Sequence, residues 1–362
     1  MVFLLIIRTF ATKIGIKNMK ETNYLITDVV VMGAGPAGST CAYLLKKAGI
    51  DCMLFDQAEF PRDKICGGGL TVKTYTLLQE LMPQLHYDYK SIKKIRLLID
   101  NKNVCEFVPS DEVRIVGRKE FDHALVQQYI QIGGQFERGS FSKYEEQSDG
   151  KILVTLKSGK QILCKYLVGA DGANSQVRKQ MAGDYDGSIL ALEQYVEKRK
   201  DVMEVEFSRH YNGGYYYWFP SVNYDVVGYG DYSTSFEKFR EILKEKGIAE
   251  TKIKGAYVSM KDVKSDNDHI ILIGDAGGFA NKITAEGLYY AFATGRNAYR
   301  AITENIPFSE TNKAIFKKKK NEVYWAKLFY SRLGLFITRC CALSPALVKK
   351  IYDKGIFPDR PK

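Results

Sequence analysis

Apolar and polar residues follow two different periods along this chain, and the two periods separate helical stretches from extended ones. Apolar residues at helical spacing predict helices over 36–48, 71–81, 118–132 and 285–303, and a helical tail from about 308. Runs rich in Val, Ile, Tyr and Phe predict strands over 92–99, 103–108, 202–208, 214–220 and 225–232. Residues 28–33 read Asp-Val-Val-Val-Met-Gly, which is typical of a strand buried on both faces. The mixture predicts an α/β fold with an additional antiparallel sheet.

The first buried strand runs into a glycine pattern that is typical of dinucleotide binding. Gly33 permits a tight turn, Gly35 lets the backbone approach a pyrophosphate, and Gly38 lets the next helix pack closely. A second apolar run ends in Asp56, about 20 residues further on, where the ribose-binding acid usually lies. The predicted dinucleotide contacts are Gly33, Gly35, Pro36, Ala37, Gly38, Asp56 and Gln57.

The segment that follows, residues 60–70, reads Phe-Pro-Arg-Asp-Lys-Ile-Cys-Gly-Gly-Gly-Leu. Three consecutive glycines leave the backbone without side chains, so a flat and bulky group can lie against it. The thiol of Cys66 stands at the edge of this run, and the basic pair Arg62 and Lys64 precedes it. We therefore expect this segment to lie beside the bound dinucleotide.

Two later segments each carry an apolar run into a Gly/Asp turn, at 166–178 and 270–278. With the first motif they resemble the Asp-Gly and Gly-Asp motifs of the para-hydroxybenzoate hydroxylase-like FAD superfamily. The resemblance implies that Asp275 binds the ribitol and pyrophosphate region of FAD, and that a turn at Asp171 lies beside the pyrophosphate. It also implies that Arg118 opens a helix near the cofactor. The further FAD contacts that it implies are Arg62, Gly67, Gly68, Gly172, Gly274 and Gly287.

The same resemblance implies how the chain is divided. A discontinuous Rossmann-type FAD-binding domain would comprise 24–70, 116–182 and 264–305. The intervening pieces, 71–115 and 183–263, would supply the antiparallel sheet of the substrate domain. Residues 306–362 would form a C-terminal helical region, and residues 1–23 an N-terminal extension, with Met19 as a second possible start.

An aromatic strand provides the candidate substrate wall. Residues 214–221 read Gly-Tyr-Tyr-Tyr-Trp-Phe-Pro-Ser, and alternation places Tyr215, Tyr217 and Phe219 on one face, opposite Tyr216 and Trp218. The stretch resembles the Tyr-x-Trp-x-Phe-Pro signature of geranylgeranyl reductases, although here Trp directly precedes Phe. Residues 61–70 match the Pro-Arg-x-Lys-x-Cys-Gly-Gly-Gly-Leu pattern of the same family. The resemblance implies these substrate contacts: Gly69, Tyr215, Tyr217, Trp218 and Phe219.

The family resemblance implies an FAD-dependent reductase that saturates double bonds of a polyprenyl lipid or a quinone side chain. Cys66 is the candidate proton donor; the alternative is a small buried residue chosen for fit. No second G-x-G-x-x-G occurs, so the electron donor stays open between NADPH and a ferredoxin-type protein. Two alternatives remain: a flavin-dependent monooxygenase of the same fold, and a non-catalytic lipid-binding or redox-sensing flavoprotein.

Residues 281–287 read Asn-Lys-Ile-Thr-Ala-Glu-Gly, where the family pattern is Asn-Pro-x-Thr-Gly-Glu-Gly. Lys282 thus replaces a proline and Ala285 replaces a glycine. An inward Lys282 would raise the flavin potential, whereas an outward one would only loosen the loop.

Composition and charge indicate the cellular compartment of the protein and the partners to expect. Seven scattered cysteines without a C-x-x-C pair indicate a reduced, cytosolic protein, and four isolated histidines favour no metal site. The net charge of +11 comes with no nucleic-acid motif, so we expect no nucleic-acid partner. Four lysines at 317–320 precede an aromatic-rich stretch, which indicates either a helix lying on a membrane surface, such as the inner face, or a helix that closes the substrate cavity with its lysines solvated.

Overall fold

A five-stranded parallel sheet carries the predicted dinucleotide motifs of the protein, whose computed structural model describes residues 24–354. The predicted N-terminal extension and the last residues lie outside the described part. The strand order is Ile270–Leu272, Tyr166–Gly169, Val29–Met32, Cys52–Asp56 and Gln135–Arg138. The motifs at Gly33, Asp171 and Asp275 follow three neighbouring strands, so their turns meet at one edge of the sheet.

The two faces of this sheet are covered by different layers. Val29 and Val31 contribute to a core packed by the helices Pro36–Lys47, Arg118–Gln131 and Leu288–Glu304. Val30 and Met32, which point the other way, contribute to a second core. A four-stranded sheet packs against this second core and contributes side chains from three of its strands; its order is Leu25–Ile26, Gln161–Cys164, Ile152–Leu156 and Phe141–Glu146. Burial on both faces explains why these strands read as continuous apolar runs.

A seven-stranded sheet forms the candidate substrate domain. Its order is Lys254–Ser259, Ser188–Val196, Asp225–Asp231, Tyr215–Pro220, Met203–Phe207, Ile95–Ile99 and Lys102–Phe107. All neighbours are antiparallel except Met203–Phe207 and Ile95–Ile99, which run parallel. The helix Phe236–Glu245 packs on one face of this sheet. The sequence did not predict the strands Ser188–Val196 and Lys254–Ser259.

A small three-stranded sheet follows the glycine run, with the order Gly69–Leu70, Val113–Ile115 and Lys90–Ile92. The prediction of a single strand over 92–99 is therefore wrong, because Lys90–Ile92 and Ile95–Ile99 belong to different sheets. The helix Val72–Leu81 lies within one residue of its predicted range.

The remaining helices are short or C-terminal. The predicted helix over 285–303 instead spans Leu288–Glu304, and its first predicted residues form a loop. The other elements are Gln176–Ala182, a 3-10 turn at Gly274–Gly277, and the tail helices Phe308–Thr311, Lys313–Phe329, Arg332–Ala342 and Pro345–Lys354. Among the described residues, no helix is long and apolar enough to cross a membrane.

Candidate FAD and substrate site

The glycine turns of the three motifs are in direct contact. A side chain at Gly33, where φ is +106°, would place its Cβ 2.2 Å from the carbonyl oxygen of Ala170. At Gly274, where φ is +57°, a Cβ would lie 2.9 Å from the Cβ of Ala37. Backbone and methyl contacts this short exclude larger residues. The structure therefore brings the predicted nucleotide motifs together at one end of the parallel sheet.

The start of the helix Pro36–Lys47 is available to an anion. Its N-cap is Gly35, which offers no side-chain cap, and Pro36 occupies the first turn. A Cβ at Gly35 would have no closer neighbour than the guanidinium of Arg62, at 3.6 Å. Unsatisfied N–H groups and the helix dipole favour a pyrophosphate at this position. Gly38, by contrast, packs against the carbonyl of Gly33 and has no free space.

Asp56 ends its strand beside this turn, as predicted, but its carboxylate is already occupied by backbone donors. Oδ2 accepts a hydrogen bond of 2.8 Å from the N–H of Ala34, and Oδ1 accepts one of 2.8 Å from Ala58. Asp56 therefore also holds the glycine turn in place. Gln57 is exposed, and its backbone carbonyl accepts from Arg138 at 3.3 Å.

Asp171 stabilises its own turn in a similar way. Its carboxylate accepts from the hydroxyl of Ser175 and from the N–H of Gln176, at 2.7 Å in the latter case. Burial raises the pKa of this carboxyl group, and these donors limit the rise. The neighbouring Gly172, with φ at +80°, has open space beside it.

Asp275 differs from the other two acids because, among the described residues, no hydrogen bond reaches its carboxylate. Burial raises its pKa, against the opposing effect of Lys64 and Arg118. A Cβ at Gly287 would lie 3.5 Å from Oδ1 of this side chain. The hydroxyl groups of the FAD ribitol could donate hydrogen bonds to such a carboxylate, so the residues present fit FAD.

A buried cluster of charge joins the glycine run to the cofactor side. Arg118 opens its helix as predicted and binds Asp122 through two hydrogen bonds, of 2.8 and 2.9 Å. Arg62 contacts the same carboxylate at 3.3 Å. Burial alone would lower the pKa of Arg118, but Asp122 and the nearby Cys66 outweigh burial and raise it. Two cations share one acid here, which leaves positive charge near Gly35, where a pyrophosphate is expected.

The Cys66–Gly69 run packs directly against the aromatic strand. A Cβ at Gly67 would lie 2.6 Å from a ring carbon of Phe219 and 3.2 Å from one of Tyr217. A Cβ at Gly68, where φ is +71°, would lie 2.1 Å from the carbonyl oxygen of Val116, whereas one at Gly69 would keep ordinary distances to its neighbours. The glycine run and the aromatic strand are thus one structural unit.

The aromatic strand presents its two faces to different surroundings. Tyr215, Tyr217 and Phe219 form a chain of ring contacts, with centroids 5.9 and 4.7 Å apart, toward the glycine run. Tyr216 and Trp218 instead pack under the helix Phe236–Glu245. The indole N–H of Trp218 donates to Asp225 at 2.8 Å. The prediction of Trp218 as a substrate contact is therefore wrong, because alternation directs its side chain to the face opposite Tyr217 and Phe219.

Glu193 lies between the glycine run and the aromatic strand, and the sequence did not predict it as a site residue. Its carboxylate accepts from the N–H of Cys66 and from the hydroxyl of Tyr217, both at 2.8 Å. Burial raises the pKa of Glu193, while Tyr217 and Cys66 act in the opposite direction. The one available signal was a single acid within the apolar run 188–196, which had not been predicted as a strand.

The loop at 281–287 is held from two sides. Glu286 accepts hydrogen bonds from Thr71 and Thr74 and pairs with Lys73 at 2.7 Å. The hydroxyl of Tyr215 donates to the carbonyl of Thr284 at 2.6 Å. These contacts position the N-terminus of the helix Leu288–Glu304 next to the aromatic strand.

The helix Lys313–Phe329 completes this support with a fully buried ion pair. Lys319 pairs with Glu322 at 2.9 Å and also donates to the carbonyl of Ala280. Glu322 in turn accepts from the side chains of Asn281, at 2.8 Å, and Tyr290, at 3.1 Å. The expectation that all four lysines at 317–320 are solvated is therefore wrong for Lys319.

Lys282 lies beside the buried pair of Lys319 and Glu322, and its backbone N–H donates to Glu322 at 3.3 Å. Burial lowers its pKa, and the charges that act on it belong to Glu322, Asp262 and Lys261. None of these three residues belongs to the glycine run or the aromatic strand.

Known proteins resemble this chain in sequence over most of its length. The family model described as FAD binding domain matches residues 26–203. A protein of Methanosarcina barkeri, named Uncharacterized protein Mbar_A1602, is 31% identical over 340 residues, 85% of each chain. Geranylgeranyl diphosphate reductase of Rhodobacter capsulatus is 27% identical over 76% of this chain and 74% of its own. The chain belongs to the geranylgeranyl reductase family. Members of this family are FAD-dependent oxidoreductases, and this protein is one.

Other similar proteins include both reductases and a halogenase. Menaquinone reductase of Mycolicibacterium smegmatis is 28% identical over 76% of each chain. The structure of a geranylgeranyl bacteriochlorophyll reductase-like protein from Thermoplasma acidophilum superimposes with a TM-score of 0.76, at 18% identity, over 91% of this chain and all of the other. Halogenase PltM shares the fold at a TM-score of 0.70 and 15% identity, over 91% of this chain and 83% of its own. The fold alone therefore does not separate reductases from other flavoenzymes.

Proposed function

We propose that this geranylgeranyl reductase family member saturates isolated double bonds in the isoprenoid chain of a lipid or a quinone. The observation that carries the proposal is the contact of the Cys66–Gly69 run with the face formed by Tyr215, Tyr217 and Phe219. An aromatic surface suits an apolar chain. Its ring faces also stabilise positive charge, which develops when an alkene without a carbonyl is protonated.

FAD, when bound and reduced, would supply the hydride that one alkene carbon receives. The contacts proposed for it are the start of the helix Pro36–Lys47, the unpaired carboxylate of Asp275, and the cations Arg62 and Arg118. The electron donor would be NADPH or a ferredoxin-type protein. The FAD-binding domain would comprise residues 24–70, 116–182 and 264–305, as predicted from the resemblance.

The proton for the second alkene carbon is assigned to Cys66. Its thiol accepts a hydrogen bond of 3.4 Å from Gly68, and its backbone is fixed by Glu193. Burial and Glu193 raise the pKa of Tyr217 far above its ordinary value, so that phenol stays protonated and holds Glu193 in place. Glu193 thus acts as a positioning residue for Cys66 and Tyr217.

The test uses the FAD-loaded protein, reduced with dithionite without oxygen and mixed with geranylgeranyl diphosphate or menaquinone. The expected result is reoxidation of the flavin together with products that have gained two hydrogens per reduced bond. In a parallel assay in air with NADPH as reductant, substrate-stimulated consumption of dioxygen would identify a monooxygenase instead. Flavin reduction without any change in the isoprenoid would indicate a lipid-binding or redox-sensing protein.

Two variants then test the assigned proton donor. We expect Cys66→Ser and Cys66→Ala to bind FAD normally and to lose most of the turnover. Full turnover in both variants would remove Cys66 from the mechanism. Supplying NADPH in place of dithionite decides between the two donors, because only a nicotinamide-dependent enzyme would then turn over.

A further inference from the structure

The tail helices carry most of the net charge of the protein. Residues 313–354 contain eleven Lys or Arg and two Asp or Glu, a net charge of +9 out of +11 for the whole chain. Both acids already contact a lysine, since Glu322 pairs with Lys319 and Asp353 pairs with Lys349. The segment is therefore strongly basic in the folded protein.

The same helices expose an unusual amount of apolar surface. Twenty large apolar side chains are exposed among the described residues, and ten of them lie between 323 and 351. Phe336 is 63% exposed, Trp325 is 57% exposed and Leu343 is 81% exposed. Exposed apolar groups that are concentrated in this way mark an interaction surface, whereas isolated ones need no explanation.

The exposed groups follow helical spacing. On the helix Arg332–Ala342, Leu333, Phe336 and Ile337 are exposed at positions i, i+3 and i+4, while Leu335 is buried against the protein. The helix Lys313–Phe329 shows the same arrangement, with Tyr324 and Leu328 exposed and Phe316 buried. Each helix thus has a buried face toward the fold and an apolar stripe toward solvent.

We propose that the helices Lys313–Phe329, Arg332–Ala342 and Pro345–Lys354 form a docking surface for an anionic lipid bilayer. The solvent-side apolar stripes would enter the boundary between headgroups and acyl chains, and the flanking cations would contact anionic headgroups. The exposed cations that flank the stripes are Lys317, Lys320, Lys327, Arg332 and Arg339.

Charge favours a bilayer over a second copy of the chain. A symmetric dimer through this surface would bring two patches of +9 together, and like charges across an interface oppose association. An anionic bilayer complements the cations and the apolar stripes at the same time.

The docking surface also adjoins the candidate substrate wall. Phe329, at the end of the helix Lys313–Phe329, packs edge-on against Phe207 with ring centroids 4.9 Å apart, and the ring centroids of Phe207 and Tyr215 are 5.7 Å apart. The hydroxyl of Tyr330 donates to the carbonyl of Ile283 in the loop beside the same wall. If the proposed function holds, a lipid substrate would reach the site from the membrane that the tail helices contact.

The experiment is co-sedimentation of the FAD-loaded protein with vesicles of phosphatidylcholine alone and with vesicles that also contain phosphatidylglycerol. We expect binding to the anionic vesicles and little binding to the neutral ones. High salt should weaken the binding, because headgroup contacts of exposed cations are screened. Vesicle binding needs no turnover, so its outcome is independent of the proposed reaction.

Charge variants test the electrostatic part. At about 1 kcal/mol for each lysine near an anionic surface, loss of three lysines should reduce the partition coefficient about 100-fold. The variant replaces Lys317, Lys320 and Lys327 with Gln. The matched control replaces three exposed lysines elsewhere, Lys157, Lys198 and Lys252, with Gln and should bind like the wild type.

The double variant Leu333→Ser, Phe336→Ser tests the apolar part and should reduce binding at least tenfold. Its control, Tyr257→Ser, removes a side chain of similar exposure on the seven-stranded sheet. The bound flavin absorbance reports that each variant is folded. Equal binding to both vesicle types, unchanged binding of the tail variants, or a dimer that binds no vesicles would each overturn the proposal.

Discussion

A methyl group added at Gly67 would enter space that the aromatic strand already fills. The nearest atoms would be a ring carbon of Phe219 at 2.6 Å and one of Tyr217 at 3.2 Å, both well inside ordinary contact distance. Overpacking of this kind typically costs 1–3 kcal/mol, so we expect Gly67→Ala to lower the free energy of unfolding by about 2 kcal/mol. The Phe219 ring must move, and the substrate wall moves with it.

The neighbouring glycines provide the matched comparison. At Gly69 an added Cβ would lie 3.7 Å from Phe219 and 3.8 Å from Ile115, so Gly69→Ala should stay within about 0.5 kcal/mol of wild type. At Gly68 the backbone is left-handed and the added Cβ would lie 2.1 Å from the carbonyl oxygen of Val116, which cannot turn aside. Gly68→Ala should therefore be the most destabilising of the three, at about 3 kcal/mol or more.

Urea unfolding followed by circular dichroism, with and without FAD, measures all three variants. The expected order of destabilisation is Gly68→Ala, then Gly67→Ala, then Gly69→Ala. If Gly67→Ala and Gly69→Ala had the same stability, the contact between the glycine run and Phe219 would be refuted. The glycine run and the aromatic strand would then not form one site.

Three further changes test other parts of the site. Ala285 has φ at +50°, so Ala285→Gly should stabilise the protein by about 1 kcal/mol in urea unfolding, whereas Ala326→Gly within a helix should destabilise it by a similar amount. Lys319→Met should cost about 3–5 kcal/mol by the same assay, because it leaves the buried Glu322 without its cation; a cost below 1 kcal/mol would contradict the buried pair. Burial raises the folded-state pKa of Glu193, so its contribution to stability is fully present below the unfolded pKa of about 4.3 and is lost as pH rises through the folded value. The free energy of unfolding of the wild type, measured relative to that of Glu193→Gln, should therefore be highest in acid and decrease toward neutral pH. A difference that stays constant across pH would show that the pKa of Glu193 does not change on folding.

The parallel sheet could be predicted because its signals are local. An apolar run buried on both faces, a glycine turn and a helix follow each other within about 20 residues, so each motif carries its own context. The contact of Gly33 with Ala170 then follows from strand adjacency. The alternation of the aromatic strand was also local, and it correctly separated Tyr215 from Tyr216.

Glu193 and Lys319 could not be predicted because their partners are distant in sequence. Glu193 meets the backbone of Cys66, which lies 127 residues away, and Lys319 meets the carbonyl of Ala280, 39 residues away. Nothing in a run of lysines distinguishes the one that turns inward. Its burial depends on where the tail helix lies, which is a property of tertiary packing and not of spacing.

The glycines of the site can be divided by what their missing side chains make room for. At Gly33, Gly38, Gly67 and Gly68 a Cβ would collide with other parts of the protein, so the fold requires glycine there with or without a cofactor. At Gly35, Gly69 and Gly287 the nearest atoms lie 3.5–3.7 Å away and no positive φ is recorded, so neither packing nor backbone strain explains the absence of a side chain. Gly35 begins the uncapped helix, Gly287 faces the unpaired carboxylate of Asp275, and Gly69 borders the aromatic wall. These three positions thus outline the space proposed for the pyrophosphate, the ribitol and the substrate side of the flavin.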